Sequence, residues 1–177
     1  VTGVQTCALP IFMITICAFL QSCKTPLPLI TVNEVNIEKY TGLWYEIAAY
    51  PNRFEKNCYC TTAEYNLSEK GRIIVENRCR KGSVTGEETS IKGKAFVVKN
   101  SSNTKLKVQF FWPFRGDYWI IGLANDYSWA VVSSPNRNYL WILSRAKTID
   151  EAIYKSIMEL VVSKGLDPEK LKKTVQE

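Results

Sequence analysis

Short runs rich in Val, Ile and aromatic residues succeed one another from Leu43 to Ser144, each closed by turn-forming residues, and this punctuation constrains the fold more than any other feature of the chain. The runs fall near 43–50, 60–67, 73–79, 90–98, 105–112, 117–123, 128–134 and 138–144. Between them stand segments such as Ser68-Glu69-Lys70-Gly71, Lys99-Asn100-Ser101-Ser102-Asn103, Pro113-Phe114-Arg115-Gly116 and Ser134-Pro135-Asn136, whose residues favour tight reversals. Connections this short join antiparallel neighbours, because a parallel pair needs a crossover of a dozen or more residues. Eight such strands close into a barrel just wide enough for one small ligand. After Arg145 the period changes: Thr148-Ile149-Asp150-Glu151 has the form of a capping box, and Ile149, Ile153, Ile157, Leu160 and Val161 recur at helical spacing before Lys164-Gly165. The expected class is all-β: an eight-stranded antiparallel up-and-down barrel with a C-terminal helix packed on its wall, and a further turn or coil over Asp167–Glu177.

Two segments predict how the barrel is sealed. Tyr40-Thr41-Gly42-Leu43-Trp44 opens the first strand, and Tyr139-Leu140-Trp141-Ile142-Leu143-Ser144-Arg145 ends the last. First and last strands must meet in a closed sheet, and a guanidinium stacked on an indole stabilises such a contact by about 0.5–2 kcal/mol. Gly42, Trp44 and Arg145 are therefore the expected closure residues. Period-two alternation assigns faces elsewhere: Leu106, Val108, Phe110 and Trp112 point inward opposite Lys105 and Lys107, Ile91 and Ala95 oppose Lys92 and Lys94, and Tyr139, Trp141 and Leu143 share a face.

At 177 residues and 46% hydrophobic content the chain suits one domain with a sizeable core. The net charge of +6 suits a soluble basic face or an anionic ligand or surface, and no nucleic-acid module is present. Histidine is absent, which removes Ser-His-Asp and Cys-His nucleophiles and His-ligated zinc or haem. No enzyme activity, metal or cofactor is expected.

Gly42-x-Trp44, Asn125-Asp126-Tyr127 before a strand and Arg145 after the last one stand in the order and at the spacing of the three signature regions of the lipocalins, which the chain resembles over roughly Val35–Val162. Asn52-Arg53-Phe54-Glu55-Lys56, Trp112-Pro113-Phe114-Arg115-Gly116-Asp117-Tyr118 and Ser134-Pro135-Asn136-Arg137-Asn138-Tyr139 make it most similar to the bacterial, apolipoprotein D-like subgroup of outer-membrane lipoproteins. The resemblance implies a membrane-anchored protein that binds and transports small hydrophobic or amphipathic ligands, fatty acid or lysophospholipid among them, as a monomer or weak dimer in envelope lipid storage or maintenance. A filled barrel acting through its surface is the alternative, and a barrel isomerase a third. The ligand's chain is expected among Ala95, Phe110, Trp112, Tyr139 and Trp141, with Phe54 at the rim and an anionic head near Arg115 or Arg53.

The N-terminus divides differently. Residues 1–11 resemble translated sequencing-adapter read-through, and Phe12–Ser22 a truncated lipoprotein signal whose apolar run is too short to span a membrane. Leu20-Gln21-Ser22-Cys23 resembles a lipobox, so Cys23 is the expected acylated first residue, on the periplasm-facing side of the outer membrane, followed by a proline-stiffened tether over 23–34 and the barrel and helix over 35–177. Cysteines 58, 60 and 79 then lie in an oxidising compartment. Strand parity sets Cys79 opposite Thr61, with Cys60 diagonal and Cys58 further off, so a bridge requires a bulge or twist. This favours Cys60–Cys79, leaves Cys58–Cys79 open, and leaves one thiol over for either a reactive or a metal-binding role.

Overall fold

The computed structural model describes residues 28–69 and 71–177. The leader, the signal and Cys23 lie outside the described residues. A four-residue helix, α1 (Ile37–Tyr40), precedes eight strands: β1 (Gly42–Ala49), β2 (Cys58–Leu67), β3 (Ile73–Lys81), β4 (Glu88–Val97), β5 (Lys105–Gln109), β6 (Gly116–Leu123), β7 (Trp129–Ser133) and β8 (Leu140–Ser144). Helix α2 (Glu151–Ser163), a 3-10 turn (Pro168–Lys170) and a two-residue strand β9 (Lys172–Lys173) follow. Each of β1–β7 pairs antiparallel with the next, and β1 pairs with both β8 and β2, so the sheet closes on itself.

The burial pattern follows from strand alternation. Trp44, Tyr65, Val75, Ala95, Leu106, Tyr118, Ile120, Val132 and Leu143 form the inner core, while Ile47, Ile121, Val131, Leu140 and Ile142 face outward beneath α2, where Ile157 and Val161 are fully buried. The helix begins two residues later than the capping-box spacing suggests. Asp150, not Thr148, is the N-cap, accepting from Ala152 N–H and Ile153 N–H at 2.8 and 3.2 Å. From Leu29 onward, inside the stretch expected to be tether, the chain is already laid on the barrel: Leu29 is buried, and Val32 N–H donates to Ile120 O at 3.0 Å.

Two local departures from the regular ladder set the geometry of the open end. In β2 the pairing with β3 shifts between Tyr59 and Thr62, so that Cys60 and Thr61 together oppose Cys79. This bulge moves the upper part of β2 by one residue and puts Cys58 on the same face as Cys79, and the disulfide is Cys58–Cys79, with Cα atoms 5.4 Å apart. The favoured Cys60–Cys79 pairing is thereby corrected. Cys60 takes a left-handed backbone (φ 52°), remains a free thiol, and lines a cleft of about 170 Å³ with Thr62, Arg78 and Arg80. The second departure is the C-terminal segment. β1 pairs with β2 only over Gly42–Tyr45, and in the gap above, β9 pairs with Ala48 and Ala49. Thr174 N–H then donates to Ile47 O (2.9 Å), and Cys60 N–H to Val175 O (2.8 Å). The Gln176 side-chain amide bridges Glu46 O (2.7 Å) and Thr61 O (3.0 Å).

Candidate functional site: the barrel interior

The lower end of the barrel is filled. Asn36 caps α1 through its side chain, which delivers Tyr40 into the interior, where its hydroxyl meets that of Tyr118 at 2.7 Å. The Tyr65 ring lies 5.7 Å from that of Tyr40 and 5.9 Å from that of Tyr118. Burial pushes all three phenols above their ordinary pKa, so they act as neutral hydrogen-bonding groups. Trp44, fully buried, donates through its indole N–H to Tyr40 O at 2.9 Å. Beneath it, the Arg145 guanidinium stands 3.7 Å from the ring centroid and donates to Leu43 O, Lys39 O, Thr41 O and Tyr40 O at 2.7, 2.8, 2.9 and 3.2 Å. A cation thus satisfies the orphan carbonyls at the end of α1. Gly42 makes the approach feasible: its φ is +95°, and a Cβ there would lie 3.3 Å from Arg145 Nη1.

The upper half differs. Asn77, Ile91, Val108, Phe110 and Trp141 belong to inward-facing positions yet stay half-buried. Phe110 lies over Gly93, where a Cβ would come within 2.7 Å of its ring. Opposite stand two carboxyl groups. Glu46 follows Trp44 on the inner face of β1 and is 5% exposed; the Thr174 hydroxyl donates to it. Glu55 reaches in from the β1–β2 loop, where Asn52 Oδ1 accepts from the N–H groups of Phe54 and Glu55 at 3.0 and 3.1 Å and fixes the turn. The Glu55 carboxylate accepts from the Asn52 amide and from Trp141 Nε1 at 3.1 Å. Glu46 and Glu55 also hydrogen-bond each other.

Burial, and secondarily the neighbouring Glu55 charge, push Glu46 up to about 8, while burial raises Glu55 against its bonds to Asn52 and Trp141. Neither carboxyl is in a salt bridge among the described residues. With Glu46 at about 8, the pair retains a proton at neutral pH and titrates as a unit. Beside them, Thr61 Oγ1 and Asn77 Oδ1 are buried without a hydrogen-bond partner. Sequence reasoning passed over Glu46, although an acidic residue two positions from Trp44 in the apolar run Leu43–Tyr50 marks a charge on the inner face. Glu55 carries no comparable signal, because loop geometry alone turns it inward.

The expected ligand residues separate into two groups. Ala95 is buried in the inner core, Phe110 and Trp141 pack on that core, and Tyr139 stacks on Trp141 with centroids 5.5 Å apart. Phe54, Trp112 and Arg115 lie elsewhere. β5 ends at Gln109 rather than near 112, and the Phe114 N–H to Phe111 O bond (2.9 Å) closes a turn, so the alternation that would carry Trp112 inward lapses and Trp112 is 86% exposed. Arg115 stacks on Phe96 at 4.3 Å, and Phe96 follows inward-facing Ala95 and so belongs to the outer wall. Phe54, 60% exposed, is covered on one side by Arg53 at 4.9 Å. Trp112, Phe114, Phe54, Arg53 and Arg115 therefore belong to the rim and outer surface.

Known proteins place the chain. The family model described as a lipocalin-like domain matches residues 35–176. Temperature-induced lipocalin-1 of Arabidopsis thaliana is 40% identical over 154 residues, covering 82% of this chain and 81% of its own. The outer membrane lipoprotein Blc of Citrobacter freundii is 37% identical over 169 residues (92% and 94%), and mouse apolipoprotein D 36% over 163 residues (86% and 82%). Among solved structures, insecticyanin of Manduca sexta superposes with a TM-score of 0.68 at 19% identity, covering 83% of this chain and 84% of its own, which speaks for the fold alone. With the Trp44–Arg145 floor, the closed eight-stranded sheet and the wall-packed helix all in one chain, the protein belongs to the lipocalin family.

Proposed function

We propose that the protein binds single-chain amphiphiles, lysophospholipid or fatty acid being the classes that the lipocalin resemblance implies, in the upper half of the barrel, and carries them at the outer membrane to which an acylated Cys23 tethers it. The observation that carries this reading is the contrast within one interior: the floor is sealed by buried Tyr40, Trp44, Tyr65 and Tyr118, whereas the inward residues above them, Ile91, Val108, Phe110 and Trp141, keep accessible surface. A barrel that served only as a rigid body would gain by burying that surface too. The exposed rim aromatics Phe111, Trp112 and Phe114, beside Arg115, suit contact with a phosphate-bearing lipid surface during loading. The lipoprotein relatives support the tether and its location.

Intrinsic tryptophan fluorescence, titrated with amphiphiles of one head group and increasing chain length, tests the reading. Each methylene contributes about 0.8 kcal/mol before ordering costs, so affinity should rise roughly two- to four-fold per methylene until the cup is full. Flat affinity across the series, or no binding, would leave the filled-barrel alternative. Fatty-acid labelling of a chain bearing the complete signal tests the tether, and an unlabelled soluble product would remove it.

A further inference from the structure

We propose that the upper barrel selects amphiphiles whose head carries a protonated primary amine, held by Glu46, Glu55, Thr61 and Asn77, and that it disfavours free fatty-acid carboxylates. The inference rests on the ligand-binding reading above and specifies its head group. Its grounds are the chemistry left unsatisfied on the inner wall. Asn77 Oδ1 is a buried acceptor to which no protein group donates. Thr61 is 7% exposed and its Oγ1 has no partner; it stands across the β1–β2 gap from Glu46, because Trp44 pairs with Ala63 and Tyr45 with Thr62 one and two steps below. Carboxyl oxygens of Glu46 and Glu55 complete a group of acceptors. A primary ammonium, with three donors and one positive charge, matches such a set, whereas a carboxylate would meet like charge at the Glu46–Glu55 pair, whose nearby indole and Asn52 amide donors are already taken up by Glu55.

The groups facing the pair are few. Thr174 from the C-terminal segment, Trp141 from β8 and Asn52 from the loop are neutral, and Lys81 on β3 is the cation that acts on Glu55. Lys81 Nζ is itself turned toward Lys56 O (3.4 Å) and Cys58 Sγ (3.1 Å). Arg115, stacked on Phe96, and Arg53, stacked on Phe54, lie outside this group. An entering ammonium brings its own charge, so both carboxyls become anionic and the shared proton leaves to solvent. The chain attached to it is then directed across the cup toward Ile91, Val108 and Phe110.

Dodecylamine, dodecanol and dodecanoate, titrated below their micelle-forming concentrations at neutral pH, share one chain and differ in head group. The expected order is amine tightest, alcohol next and acid weakest, with amine preferred to acid by about tenfold or more, the scale of charge-assisted hydrogen bonds. Calorimetry in buffers of different ionisation enthalpy should show proton release for the amine and none for the alcohol. Glu46→Gln with Glu55→Gln, which keeps size and hydrogen bonding, should bring amine and alcohol within about twofold while dodecanol binding is retained as a check on folding. Dodecanoate binding as tightly as dodecylamine, an amine preference that survives the double substitution, or amine binding without proton release would each overturn the head-group assignment while leaving the cup intact. Failure of all three ligands to bind the unsubstituted protein would instead overturn the ligand-binding reading on which it rests.

Discussion

At the lower end of the barrel, four aromatic side chains are buried, Tyr40 and Tyr118 share a hydrogen bond beside the Tyr65 ring, and a single arginine covers the base with its donors on five backbone carbonyls. At the upper end the same strands leave Asn77, Ile91, Phe110 and Trp141 half-buried, set two carboxyls side by side and strand two oxygens without partners. Close-packed, satisfied groups stabilise the closed end; unsatisfied ones at the open end cost stability. The two ends thus divide residues that hold the barrel together from residues that give it something to do.

Substitutions at the two ends should therefore differ in sign as well as size. Trp44→Ala removes the largest buried side chain of the floor and should cost about 3–5 kcal/mol, read as a lowered denaturation midpoint; a small loss would mean that the floor is not what secures the fold. Cys58→Ser opens a loop spanning a sequence separation of 21 and should cost roughly 3 kcal/mol, whereas Cys60→Ser should leave both stability and the Cys58–Cys79 bridge intact by mass mapping. Arg145→Ala strips donors from the carbonyls at the end of α1 as well as the stack on Trp44, and a loss of about 2 kcal/mol is expected.

Glu46→Gln is the case where the sign reverses. Its folded pKa lies above the ordinary carboxylate value, so the folded state binds more protons, and the protein loses stability as pH rises from about 4.5 toward 8. The amide escapes that loss. At pH 8 the variant should be more stable than the parent by as much as about 4 kcal/mol, the linkage value of the shift, and near pH 4 the two should coincide. A variant less stable at pH 8 would show that Glu46 belongs with the stabilising residues.

Much of this was legible in the chain. The eight strands, the helix and the Gly42–Trp44–Arg145 closure follow from period, turn residues and spacing, because those signals reflect backbone geometry directly. Strand parity at the cysteines requires a bulge or twist, but its place in β2 was not legible, since it is carried by Cys60 in a left-handed conformation with no glycine to announce it. The end of β5 was misjudged for a related reason: Phe111 and Trp112 read as strand by composition, whereas their exposure places them on a loop. Glu46 was visible as an anomaly in an apolar run, but its partner Glu55 could be recognised only once the loop had been folded over the mouth. Arg115 shows the limit of charge reading, because a strand partner, Phe96, engages it on the wrong side of the wall.

The seam between β1 and β2 has a consequence for synthesis. Residues 172–176 supply the bonds that β1 and β2 do not give each other, reaching back to Glu46 across 128 and 130 positions and to Thr61 across 115. During synthesis the first strand emerges long before the segment that stitches it in place. The upper part of that seam can therefore be completed only after the chain has been made through residue 176, which adds contacts of long sequence separation to those that slow folding.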